Sequence, residues 1–152
     1  MATAALACGF GLSATPVLAA GACEGEPSAT KLIVQVSGLR SAMGEMAVTL
    51  YPDDARRFLA PKSKLARVRT PSKTPVTTAC FWLPRPGFYA VAVYHDENAD
   101  HGFNRTFIGL PAEGFGFSNN PSTKTGLPPF KAVRFEAGAG ETQTRITLRY
   151  LR

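Results

Sequence analysis

Between Asp96 and Asn104 the chain reads DENADHGFN, with oxygen-bearing side chains at Asp96, Asn98 and Asp100, then at Asn104. In a tight turn alternate side chains point to the same side, so two carboxylates and an amide could converge on a hard cation such as calcium. Gly102 would add a backbone carbonyl at the seventh position of such a loop, and Asn104 falls at the ninth. Phe107 stands where a calcium loop needs its bidentate Glu, unless Glu113 folds back to supply it. The same residues make a structural turn if Asp and Asn cap their own backbone. The expectation is the structural turn and no cofactor, with calcium at Asp96, Asn98, Asp100 and Asn104 as the alternative.

His95 and His101 are the only histidines, and Asp96, Glu97 and Asp100 lie beside them, which sketches a general acid–base site. A partnered nucleophile is missing, because Ser118 has no motif around it. Zinc would need a third ligand at proper spacing, and none is visible. The expectation is a protein that is not an enzyme, with His95 orienting the loop by hydrogen bonds. A hydrolase is the third reading. Further on, GFGFSNN (Gly114 to Asn120) lacks the lysine and the strand-to-helix context of a nucleotide loop. Phe115 and Phe117 lie on one side of an extended segment. They could stack on a sugar ring or grip a partner, or they could dock the segment into the core, where glycines allow close approach. The contact residues singled out are His95, Glu97, Phe115, Phe117, Asn119 and Asn120.

Charge and cysteines bound the compartment. Residues 1–22 carry no charge and end in Ala20-Gly21-Ala22, the small residues of a signal-peptide cleavage site. The stretch is too short and too broken by Gly, Ser, Thr and Pro for a membrane span. Removing it takes away Cys8 and leaves Cys23 and Cys80, the even pair expected for one disulfide in an oxidising compartment. The rival reading makes Cys23 the lipidated first residue of a lipoprotein. Periplasm or cell envelope is the expected location. Of the 17 basic residues, seven fall between Arg56 and Lys73 with no acid among them. Such a run marks either a contact with anionic envelope polymers or lipid phosphates, or the solvated charges of an edge strand. Nucleic acid is set aside as a partner, because an exported protein seldom meets it.

The elements that must position these residues are strands. After a polar lead-in at residues 23–30, KLIVQVSGL alternates Leu32, Val34 and Val36 against Ile33, Gln35 and Ser37, and GEMAVTLY puts Met46, Val48 and Leu50 on one face. Asp53 to Phe58 reads as one helical turn capped by Asp53 or Asp54. KLARVRT is a weaker strand, and VTTACFWL places Thr77, Ala79, Phe81 and Leu83 opposite Cys80 and Trp82. FYAVAVY is apolar on both faces, the mark of a central, doubly covered strand. KAVRFEA and TQTRITLRYL complete about seven strands, which predicts an all-β sandwich over residues 31–152. From Asp96 to Phe130 runs a loop of about 35 residues, unusual in a compact domain unless functional or disordered. It holds half of the ten phenylalanines, so the expectation is an ordered flap packed on the sandwich, with one short strand around Arg105 to Gly109.

Pro86-Gly87, Tyr89, His95 to Asn98, Phe107 to Pro111 and Gly114 to Asn120 together resemble the signature of the domain of unknown function 2141 family, exported bacterial proteins without an assigned activity. The resemblance covers Lys31 to Leu151 and implies an immunoglobulin-like or prealbumin-like sandwich in the cell envelope. In that family a Gly usually stands where this chain has His101, and often an Asp where it has Asn104. The prealbumin-like hydrolases of cyclic ureides end in Tyr-Arg-Gly-Ser; this chain ends Arg149-Tyr150-Leu151-Arg152, so that activity does not transfer. The overall expectation is a monomeric envelope module that binds an envelope component or a glycan through His95 to Asn120.

Overall fold

The structure is a computed structural model that describes residues 22–151. The expected leader, residues 1–22, lies outside the described residues except for Ala22. The chain is all-β, with eight strands in two sheets. The smaller sheet has the order β4 (Val76–Trp82), β1 (Thr30–Ser37), β8 (Gly140–Thr147); β1 runs antiparallel to β4 and parallel to β8. The larger has the order β3 (Ala66–Pro71), β2 (Glu45–Pro52), β5 (Gly87–Asp96), β6 (Phe115–Phe117), with β7 (Phe135–Ala137) on the same edge of β5 as β6.

Strand alternation decides what lies between the sheets. Leu32, Val34, Val36, Ala79, Phe81 and Ile146 meet Met46, Val48, Leu50, Tyr89, Val91 and Val93, all buried, in one apolar core. The period-2 faces read from β1, β4 and β5 are the observed ones. For β2 the pattern understates burial, since Ala47, Thr49 and Tyr51 on its other face are buried too. They lie under a second cluster on the outer face of the larger sheet, formed by Tyr51, Ala90, Phe115, Phe117 and Val133 with Phe58, Phe103 and Phe130 packed against it. The flap supplies most of this cover.

Three local expectations change. KAVRFEA is not one strand: a one-turn helix, α1 (Phe130–Val133), follows Pro128-Pro129, and only Phe135–Ala137 pairs with β5. Val133 turns into the outer-face cluster, which a continuous strand would not allow. Arg105 to Gly109 is a turn, and the strand of the flap is GFGF's Phe115–Phe117. Asp53 to Phe58 makes a turn rather than an assigned helix. Asp54 still caps it, its carboxylate accepting from the Arg56 N–H at 2.9 Å and its carbonyl from Phe58 N–H at 3.2 Å.

Cys23 and Cys80 form a disulfide with their Cα atoms 4.5 Å apart. The bond ties the lead-in to β4, where Glu24 N–H donates to the Cys80 carbonyl and Trp82 N–H to the Glu24 carbonyl. Among the described residues no helix is long and apolar enough to cross a membrane. Closing a loop of 57 residues stabilises the fold by about 4 kcal/mol in the chain-entropy model. Changing both Cys23 and Cys80 to Ala should cost that order of stability in urea denaturation. A cost below about 1 kcal/mol would mean that the Glu24 bonds alone hold the lead-in.

Candidate functional site

β5 ends with His95 on the inner face and Asp96 on the outer face, both fully buried. At the inner end, His95 Nε2 lies 2.8 Å from the Met43 carbonyl and Nδ1 lies 2.7 Å from the Tyr150 hydroxyl. The carbonyl can only accept, so Nε2 carries a proton, and Nδ1 pairs with the Tyr150 hydroxyl. Arg40 N–H in turn donates to that hydroxyl at 3.3 Å. The Arg40 guanidinium lies over the Tyr150 ring at 4.6 Å and pairs with Glu97, which also accepts from the Ser41 hydroxyl. The Arg40 bond, helped by Ser41, holds the Glu97 carboxyl below its ordinary range. Both His95 nitrogens are therefore engaged, with the turn before β2 and with the C-terminal Tyr150 and not with the loop that follows.

At the outer end the residues of the alternative calcium reading bond to one another. Asp96 accepts from the N–H groups of Asp100 (3.1 Å) and His101 (2.9 Å) and from Arg69 (3.0 Å). Asp100 accepts from Gly102 N–H at 2.7 Å and from the amide nitrogens of Asn98 and Asn104, each at 2.9 Å. Those donors, Asn104 first, lower the Asp100 carboxyl. Donor groups and the Arg69 guanidinium thus occupy the side on which a cation would need oxygens. Among the described residues no three His, Cys, Asp or Glu are arranged to hold a metal ion. His101 takes the left-handed conformation, φ 65°, at the position that suits Gly, and its ring reaches Glu45 at 3.3 Å. Glu113 does fold back, but onto the backbone: it accepts from Asn104 N–H at 3.0 Å. Burial first, then the charges of Asp96, Asp100 and Glu97, push its carboxyl up.

GFGFSNN is a clasp. Phe115 and Phe117 are 7 % and 5 % exposed, stacked edge-on to Phe103 and Phe58, and offer no free ring face. The backbone of Phe115 exchanges two hydrogen bonds with Arg149, joining the larger sheet to the end of the smaller. A Cβ on Gly114 would stand 2.4 Å from the Tyr150 ring, and one on Gly116 2.7 Å from Ile146 Cγ2. Ser118 bonds both backbone groups of Val91, its hydroxyl accepting from the N–H and its N–H donating to the carbonyl, each at 3.0 Å. The side chain of Asn119 donates to the carbonyls of Ala132 and Arg134, and that of Asn120 bonds Arg145 and Thr147 of β8.

The flap is open around Leu127 and at its tip. Ala112 N–H to Asn104 carbonyl (3.0 Å) and Thr106 N–H to Leu110 carbonyl (2.7 Å) close a small hairpin that turns at Gly109, φ 84°. Phe107 there is fully exposed (102 %), with Ile108 at 65 % and Leu110 at 44 %. Of the flap phenylalanines expected to pack, this one does not. Its signal in the sequence was an apolar Phe-Ile before a turn-forming Gly.

The family model described as an uncharacterized protein conserved in bacteria, DUF2141, matches residues 34–145, from β1 to β8. The chain belongs to the DUF2141 family. Among curated proteins and solved structures nothing matches it. The DUF2141 match spans the whole flap, so the clasp, the acidic turn and the exposed tip all lie within it.

If GFGFSNN is a clasp, Ser118→Ala should leave Val91 N–H without a partner and cost about 1–3 kcal/mol. Gly116→Ala should cost a similar amount through overpacking. Urea midpoints measure both, and wild-type values would show that the segment is not fastened as described.

Proposed function

We propose that this protein is an exported module of the cell envelope that works by binding, through the tip of its flap, and not by catalysis. The observation carrying this reading is Phe107, fully exposed beside Ile108 and Leu110, on a hairpin whose base is bonded into the sandwich. Apolar side chains grouped on a firm mount are the usual makings of a contact. Their aliphatic company suits an apolar cleft on an envelope protein better than a sugar ring, which needs a flat aromatic face with polar neighbours. Export is supported by the Cys23–Cys80 disulfide and by the uncharged leader. With Cys23 in that bond, a lipid on its sulfur is the less favoured anchor. Against catalysis stands His95, buried with both nitrogens engaged.

A photo-crosslinking phenylalanine placed at position 107 in the exporting cell should give one discrete adduct. The same probe at Leu127, 67 % exposed in another part of the flap, should give none. Phe107→Ser with Ile108→Ser should compete no longer for that partner while changing stability by less than about 0.5 kcal/mol. No adduct, or equal adducts at both positions, would overturn the reading.

A second reading, calcium at Asp96, Asn98, Asp100 and Asn104, draws on Glu113, whose raised carboxyl faces the charges of Asp96, Asp100 and Glu97 that a cation would relieve. The hydrogen-bonded turn favours the structural alternative, for which calcium added after chelation leaves the melting temperature unchanged. Because the folded state raises the Glu113 carboxyl, its contribution to stability is complete below the ordinary value of 4.5 and is lost as pH rises through the folded value. Glu113→Gln, which can still accept from Asn104, should therefore raise the melting temperature at pH 7. A calcium-selective rise that disappears in Asp96→Ala and Asp100→Ala would put the metal reading first.

A further inference from the structure

The basic run Arg56 to Lys73 is only partly absorbed by the fold. Arg69 is bonded to Glu45 and Asp96, and Arg56 to Asp54. Lys62, Lys64 and Arg67 have no acidic partner among the described residues, and they converge. They line a cavity of about 300 Å³ on the outer face of the larger sheet, together with Tyr51, Leu59 and Ser63, and no acid lines it. The acids of the adjoining turn are committed elsewhere, Asp53 to Arg134 and Asp54 to Arg56.

The cavity is built, not a chance gathering of lysines. Its floor is Tyr51, a buried β2 residue whose ring packs edge-on against Phe58 at 5.4 Å. Arg67 is half-buried and fixed by its Nε, which donates to the Thr49 hydroxyl at 2.8 Å. Its guanidinium also lies against the Tyr51 hydroxyl and over the Tyr94 ring at 5.9 Å, so the fork is held in place, with further N–H donors of its five still to spare. The rim is the loop Leu59 to Ser63, where Leu59 (φ 59°) and Lys62 (φ 58°) both take the left-handed conformation that side chains disfavour. The loop is held there by Arg57, which donates to the Ser63 carbonyl at 2.8 Å, and by the Ser63 hydroxyl, which bonds the Arg57 and Ala60 carbonyls. Two strained residues held at a cavity rim are a common mark of a ligand site.

We propose that this cavity binds a phosphate group carried on a small polyol, with Arg67, Lys62 and Lys64 as its cationic donors and the Tyr51 hydroxyl as a neutral one. Two positive point charges beside a guanidinium fork match a tetrahedral, multiply charged anion better than a carboxylate. The volume exceeds that of a bare phosphate and leaves room for its carrier against Leu59 and Pro61. An envelope offers that chemistry from two sources, a phosphorylated sugar and a phospholipid headgroup. The site stands apart from the flap tip and does not depend on how the tip is used.

The test is an amide NMR titration of the protein with glucose 6-phosphate, with glucose as control, beside flotation with phosphatidylglycerol and phosphatidylcholine vesicles. Shifts confined to Tyr51 and residues 59–67, weakened by salt and absent with glucose, are expected. Lys62→Ala with Lys64→Ala, both exposed and free of fold contacts, should weaken binding at least roughly tenfold. Arg67→Gln should do the same. Saturation by the sugar phosphate assigns the source to glycans; flotation with phosphatidylglycerol alone assigns it to lipid. Binding by neither, shifts elsewhere, or full affinity in the double lysine variant would overturn the proposal.

Discussion

The free edge of β5 governs this fold. β5 is covered on both faces, so the backbone groups it turns away from β2 meet no water and must be bonded within the protein. No single strand does this. β7 pairs with Gly87 to Tyr89, Ser118 takes Val91, β6 pairs with Ala92 to Tyr94, and the Gly114 carbonyl takes the His95 N–H. The chain travels from Asp96 through the whole flap to return to that edge, and this sets the length of the flap. Asn119 and Asn120 then cap the carbonyls of α1 and bond the edge of β8, so one short motif closes both sheets.

Much of this was legible because it follows from period. A strand is apolar on one face if half-covered and on both if central, and β1, β4 and β5 obey that rule residue by residue. The rule fails where partners come from far along the chain. Phe130 to Val133 has the alternation of a strand, yet Ser118 already occupies the stretch of β5 opposite it, and Val133 packs better from a helical turn. Glycine patterns are ambiguous for the same reason. GFGF reads equally as a hinge for gripping a ligand or as a strand grazing a neighbour, and only the Tyr150 ring beside Gly114 and Ile146 beside Gly116 decide between them.

The candidate site was legible in place more than in role. The segment from His95 to Asn120 does carry the unusual features, but His95, Phe115 and Phe117 are interior. The acidic turn looks like a cation loop in sequence because oxygen ligands and Asx caps use the same residues at the same spacing. What separates them is the supply of N–H donors, which depends on backbone conformation. Here the left-handed residues Ala99 and His101 bend the chain so that successive N–H groups face Asp96. Arg69, delivered from β3, supplies the positive charge.

That arrangement bears on what the tip can do. A hairpin on a mobile stalk would pay for its own ordering whenever it made a contact. Here the stalk is fixed on both sides: Asn104 N–H is held by Glu113, Phe103 lies against Tyr94 and Phe115, and Arg105 lies over the Phe103 ring at 5.3 Å. Phe107 and Ile108 therefore stand on a frame that is already ordered, so a partner that buried them, as proposed above, would gain most of their hydrophobic free energy. The base of the tip is held from within by buried Asp96, Glu113, Phe115, Phe117 and Ser118, and at the surface by the side-chain bonds of Asp100, Asn119 and Asn120.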